Sequence, residues 1–194
     1  TLLKQGALPI KRAFHITRQI LLGLREIHEK DFVHRDLNPS NIFLLDGTPS
    51  DSLKIIDFGI AKLSGDDKRP LLTGTGKSMG TAAYMAPEQT DLETKEQIDG
   101  RADLYAVGLM LYEMLAGYRP FPLKADATTK ERVAAAMKAH RHLEPIPLRI
   151  THGNGLNHAR LIDLVHCALA KNPDDRPQSA EVFLKELEDL ASPI

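Results

Sequence analysis

Apolar residues recur at helical spacing near the start of the chain: Ala13, Ile16, Ile20, Leu24 and Ile27 follow Pro9 in steps of three and four. Residues so spaced share one helix face, so the pattern predicts a long amphipathic helix over about residues 10–29, with Pro9 at its start. The period then changes. Ile42-Phe43-Leu44-Leu45 and Leu53-Lys54-Ile55-Ile56 flank the turn-rich Asp46-Gly47-Thr48-Pro49-Ser50, which predicts two short strands joined by a loop. Residues 60–85 are rich in Gly, Ser, Thr and Lys and sustain no period, which predicts a loop. Residues 101–117 are apolar on nearly every side, the mark of a buried helix, and Gly117 supplies its stop. Further helices are predicted over about 127–141, 157–170 and 179–191. No internal repeat is present. The result is a mainly α fold with one short β-hairpin.

At 194 residues the chain has the length of one ordinary domain with ample material for a core. Its net charge of −1 argues against a nucleic-acid partner held by bulk charge. A single cysteine, Cys167, excludes a disulfide framework and a cysteine-based zinc site, and suits a reducing, cytoplasmic setting. The longest apolar stretch, Leu104 to Leu115, is too short to span a bilayer, so no membrane contact is expected from this segment. Nothing at the start reads as a signal peptide. Thr1 is not an initiator methionine, and the chain is expected to be a piece of a longer protein whose membrane anchor, if it has one, lies elsewhere.

Three clusters carry chemistry: His34-Arg35-Asp36-Leu37-Asn38-Pro39-Ser40-Asn41, then Asp57-Phe58-Gly59, then Ala86-Pro87-Glu88. Phosphoryl transfer needs a carboxylate to orient and deprotonate the attacking hydroxyl, and oxygen ligands for the magnesium ions that bridge the phosphates. Asp36 suits the first role, Asn41 and Asp57 the second. Asp36 and Asn41 stand five apart on a loop before a strand, and Asp57 ends an apolar strand where its carboxylate can enter a cleft. Alone, an Asp-Asn turn or an Asp and Gly ending a strand would be ordinary turn chemistry.

In this order the clusters resemble the catalytic loop (34–41) and the activation segment (57–88) of a eukaryotic-type protein kinase. The resemblance runs from residue 1 to about 190 and implies one unit over 1–194, the helical C-terminal lobe with its hairpin at the cleft. It implies a serine/threonine protein kinase using ATP and Mg2+ on protein Ser and Thr hydroxyls. Asp36 would be the base, Thr81 of Gly80-Thr81-Ala82-Ala83-Tyr84 would help place the substrate hydroxyl, and Asn41 and Asp57 would hold metal. Phe43 would lie against the nucleotide, while His34, Phe58 and Gly59 would shape the motifs. Asp103, in Arg101-Ala102-Asp103-Leu104-Tyr105, would hold the catalytic-loop backbone. Arg176 of Arg176-Pro177 would pair with Glu88. Arg35 would receive a phosphate from Thr73 or Thr75, whose bland alternative is a flexible loop of threonines between glycines. Met85-Ala86-Pro87-Glu88-Gln89 and Tyr118-Arg119-Pro120-Phe121 are most similar to bacterial serine/threonine kinases. A kinase dimer in the parent protein is left open.

Two departures qualify the resemblance. Asn38 stands where serine/threonine kinases carry a lysine that meets the transferring phosphate, so charge stabilisation there is weaker. Upstream of the first helix there is no glycine-rich strand-turn, strand lysine or helical glutamate, so the N-terminal β-lobe is absent and the isolated fragment is expected to be inactive. The rival class is a non-catalytic binding module, favoured by Asn38 and opposed by the complete set Asp36, Asn41 and Asp57.

Other motifs carry little. Gly76-Lys77-Ser78 lacks the P-loop glycine, which is Leu71, and Gly74-x-Gly76 meets Met79 where a dinucleotide fingerprint needs glycine. His140, Arg141 and His142 read as solvated surface at the end of an exposed helix. Cys167, among Leu164, Val165, Ala168 and Leu169, reads as an inert core thiol.

Overall fold

The computed structural model describes residues 6–45, 52–57, 79–90, 98–122, 128–150 and 158–191. In chain order they form α1 (Ile10–His28), β1 (Ile42–Leu44), β2 (Leu53–Ile55), α2 (Met79–Ala82), α3 (Pro87–Thr90), α4 (Gly100–Ala116), α5 (Thr129–His142), α6 (His158–Ala168) and α7 (Ala180–Ala191). Helix dominates, and the described strands form a two-stranded antiparallel hairpin.

α4 is the axis. From Ala102 to Leu115 almost every residue is buried, so this helix has no solvent face and must be surrounded. Asp99 caps its start by accepting from the Arg101 N–H, and Gly117 ends it at φ 76°. A side chain at Gly117 would meet the left-handed penalty and also a Cβ only 2.6 Å from the Ala7 nitrogen. At Gly108 the helix touches α6 closely; a Cβ there would stand 2.8 Å from that of Ala168.

α1 turns Ala13, Ile16, Ile20 and Leu24 of the predicted stripe inward, joined by Ile10, against α4 and α7, while Ile27, the last of the stripe, is only partly buried. The hairpin pairs Ile42 with Ile55, Phe43 with Lys54 and Leu44 with Leu53. Its period of two puts Ile42, Leu53 and Ile55 on the core and leaves Phe43 and Lys54 outward. Leu53 N–H also donates to Gln19 Oε1 at 3.2 Å, seating the hairpin on α1.

Three sequence expectations change. The loop predicted over 60–85 contains the helical turn α2 at 79–82, too short to show a period. His140 is buried rather than solvated, at 2% exposure, because α5 packs this side chain toward α4. Cys167 is half-buried, its thiol donating to the Asp175 carbonyl at 3.2 Å instead of filling the core. No helix among the described residues is long and apolar enough to cross a membrane.

Candidate active site

The loop from His34 to Asn41 is held mainly from outside itself. Asp103, at the start of α4 and 1% exposed, accepts His34 N–H at 2.8 Å on Oδ2 and Arg35 N–H at 2.9 Å on Oδ1. The His28 ring reaches the same Oδ2 at 2.9 Å. A buried carboxylate is tolerable only when so saturated with donors. The two bonds matter because Arg35 sits at φ 63°, a left-handed conformation costing roughly 1–2 kcal/mol that needs external support. Leu37, 3% exposed, plugs the loop into the core.

His34 joins this loop to the strand end. Its fully buried ring reaches the carbonyl of Ile56 with Nε2 at 3.1 Å, while Nδ1 faces Asp36 N–H at 3.4 Å. Ile56 N–H in turn donates to the Asn41 carbonyl at 2.9 Å. Asp57 follows, exposed, at φ 55°. The backbones bearing Asn41 and Asp57 are therefore neighbours, and both motifs carry a residue in the left-handed region. Asn41 is buried and uses Nδ2 to hold the Asp36 carbonyl at 2.8 Å, which frees Oδ1 to accept or to ligate. Phe43 stands next to it, 58% exposed.

Asn38 behaves as a cap. Its Oδ1 accepts Ser40 N–H at 2.9 Å at the head of a 3-10 turn (Pro39–Asn41), and its Nδ2 donates to the Asp36 carbonyl at 2.9 Å. The same Nδ2 stands 3.5 Å from Asp36 Oδ1, at the outer limit of a hydrogen bond. With both ends of the amide engaged by the loop, Asn38 has little left to offer a phosphate.

The opposite wall is the segment from Met79 to Thr90. Thr81, Tyr84, Met85 and Gln89 line one small, narrow pocket with Arg35, Asp36 and Asp103. Gln89 stitches the walls together, donating to the Arg35 carbonyl at 2.7 Å and accepting Ala86 N–H at 3.0 Å. The Tyr84 hydroxyl donates to Glu113 of α4; burial, then the Glu113 charge, pushes this phenol well above its usual range. Arg119 closes the group, 3.5 Å from Glu113 and 5.4 Å above the Tyr84 ring. At the segment's end, Glu88 and Arg176 form a bidentate pair, both contacts 2.8 Å, with their side chains 6% and 0% exposed.

Thus Arg35, Asp36, Thr81 and Asp103 line one pocket, while His34, Asn38 and Asn41 bond to Asp36 or to the strand end that precedes Asp57. Phe58, Gly59, Thr73 and Thr75 lie outside the described residues. The roles of Gln89, Tyr84, Glu113, His28 and His140 carried no sequence signal beyond position, because each acts through a partner distant along the chain. Among the described residues no cluster of three or more His, Cys, Asp or Glu could hold a metal by itself.

The family model described as "Protein kinase domain" matches residues 1–187. Serine/threonine-protein kinase pkn3 of Myxococcus xanthus is 39% identical over 181 residues, covering 91% of this chain and 31% of that protein. Serine/threonine-protein kinase A of Synechocystis is 36% identical over 203 residues, covering 99% and 36% respectively. For PknB of Mycobacterium tuberculosis the identity is 34% over 183 residues, covering 94% and 27%. The chain therefore spans roughly a third of the length of these curated relatives, from 27% to 36%.

Proposed function

Since this chain belongs to the protein kinase domain family, we propose that the protein containing it transfers the γ-phosphate of ATP to serine or threonine hydroxyls of protein substrates. Residues 1–194 form its C-terminal lobe in this reading, with the catalytic loop at 34–41 and the activation segment at 57–88. One observation supports the reading above the others: Asp36 and Thr81, distant in sequence, line one pocket, and the Ile56 N–H to Asn41 carbonyl bond sets the backbone before Asp57 beside the loop that bears Asp36.

Asp36 accepts the proton of the attacking hydroxyl as its oxygen bonds to phosphorus and the bond to the leaving phosphate breaks. Its carbonyl is held by both Asn38 and Asn41, so its backbone cannot turn away from the acceptor. Thr81, on the facing wall, steers that hydroxyl toward Asp36. The Asn41 amide oxygen and the Asp57 carboxylate, borne on neighbouring backbones, are hard oxygen donors that would suit Mg2+, an ion that takes few protein ligands and keeps phosphate oxygens and water. Magnesium, when bound, neutralises charge on the phosphates. Positioning dominates such catalysis, and rigid anchoring through Asp103 is what supplies it.

A non-catalytic binding module is the second reading, and Asn38 favours it, because this side chain is consumed as a cap where a cation would serve transfer. The test is radiolabelled ATP transfer to a protein substrate by the full-length protein, with Asp36→Asn as control. Transfer that falls by about 100-fold or more in the variant supports the kinase reading. No transfer by the wild type, or equal transfer by the variant, refutes it.

A further inference from the structure

The proposed mechanism leaves one buried titratable group unused. His140, near the end of α5, is 2% exposed and lines a small pocket with Ala83, two residues after Thr81. Its Nδ1 is 3.0 Å from the hydroxyl of Tyr105, a fully buried residue of α4. The rings of Phe121 and Tyr105 meet it edge-on at 5.0 and 5.8 Å. On its remaining side Ala83 lines one small pocket with it, and the backbone carbonyls of Ala82 and Ala83 favour its protonated form. A Tyr105 hydroxyl donating to Nδ1 fixes the other tautomer, so Nε2 carries the proton and is the atom left to face the Ala82–Ala83 backbone.

We infer that His140 is a positioning residue for the acceptor side of the cleft: it ties the Ala82–Ala83 backbone to α4 through Tyr105, and so fixes where Thr81 presents a hydroxyl to Asp36. The inference rests on the kinase reading of that cleft. Three further observations support it. Thr81 immediately precedes the carbonyls that His140 faces and shares the cleft with Asp36. Tyr105 also lies under the Arg176 guanidinium, 4.9 Å from its ring centroid, and Arg176 grips Glu88. One buried tyrosine therefore touches the residues holding both the beginning and the end of the stretch from Ala82 to Glu88. Finally, His140 is kept neutral: burial, then the Lys171 cation, and more weakly Arg119, bring its pKa down to about 4 against the opposing pull of the two carbonyls. The Nε2 donor is thus constant across the working pH range rather than a switch.

A histidine that merely fills space between α4 and α5 would predict a different response to substitution. The experiment measures steady-state kinetics and amide hydrogen exchange on the full-length protein bearing His140→Leu, His140→Gln or Tyr105→Phe. The substrates are ATP and a serine-containing peptide that the wild type phosphorylates. His140→Leu is expected to raise the peptide KM by about tenfold, leave the ATP KM unchanged, and speed exchange of the Ala83–Met85 amides. His140→Gln, whose amide offers an N–H at similar reach, is expected to restore most of both, and Tyr105→Phe to fall between. A folded His140→Leu protein with unchanged peptide KM and unchanged exchange overturns the inference. Should that variant fail to fold, unchanged peptide KM and exchange in Tyr105→Phe overturns it equally. A wild type without transfer activity would sink the kinase reading instead, while the exchange comparison would still report whether His140 holds this backbone.

Discussion

Breaking the Glu88–Arg176 pair should have unequal consequences depending on which partner is removed. Arg176 makes five hydrogen bonds: two at 2.8 Å to the Glu88 carboxylate, and one each to the carbonyls of Ala170 at 2.8 Å, Lys171 at 3.0 Å and Arg101 at 3.1 Å. In Glu88→Ala the guanidinium keeps those three carbonyls and the face of Tyr105. The loss is then the lower part of the usual range for one partner of a buried pair, about 3 kcal/mol. Arg176→Ala leaves a carboxylate buried without its cation and also strips donors from three carbonyls, so about 5 kcal/mol is expected. Arg176→Lys should recover little, because a point charge cannot serve a planar fork. The double variant should cost less than the two singles together, by about 2 kcal/mol, since the charge orphaned in each single is gone. Native-state hydrogen exchange of the α4 amides under a urea series reads these opening free energies directly. Equal losses in the two single variants, or a coupling below about 0.5 kcal/mol, would refute the claim that the pair and its carbonyl cage act as one unit.

Three other outcomes are expected. Asp103→Asn places an amide N–H2 where backbone N–H groups must be accepted, so kcat should fall by at least about 100-fold with a stability loss of about 2–4 kcal/mol, measured by transfer assay and denaturation. His140 sits below its ordinary value of 6.5 at about 4, so the unfolded chain binds the extra proton between those values. Its contribution is therefore complete above pH 6.5 and is lost as pH falls toward 4, about 3 kcal/mol in all, visible as a steeper acid destabilisation of wild type than of His140→Gln. Gly117→Ala, forced to hold φ 76° with a Cβ 2.6 Å from the Ala7 nitrogen, should cost about 2 kcal/mol or more, read as a lower urea midpoint at unchanged m-value.

What the sequence disclosed follows from where each residue's partners are. α1 and α4 were legible because burial is written along the helix itself, as a stripe in one and as apolarity all round in the other. The hairpin was legible as two short strands, but not which face is wet, because Phe43 is as apolar as Ile42 and Leu44 beside it. α2 and α3 were illegible, since four residues cannot display a helical period. The chemistry-bearing residues of the cleft were legible as motifs, but not what holds them. Asp103 lies 69 positions from His34, and Gln89 lies 54 from Arg35. His140 was misread as surface because Arg141 and His142 beside it are exposed, and only Tyr105 and Phe121, distant in sequence, give it a buried polar partner and a packed ring.

The helix that looked least chemical is the one that organises the chemistry. From α4, Asp103 fixes the left-handed turn at Arg35 that carries Asp36, Tyr105 meets both His140 and Arg176, and Glu113 receives the hydroxyl of Tyr84. Both walls of the cleft are thus referenced to one rigid, fully packed element. That matters because backbone held at φ 63° at Arg35 and φ 55° at Asp57 would relax if left to its own preferences, shifting Asp36 and Asp57. Polar side chains inside an apolar helix are costly unless each is satisfied, and here each is satisfied by the segment it positions. The burial that makes α4 immobile is therefore the same burial that gives its few polar contacts their strength.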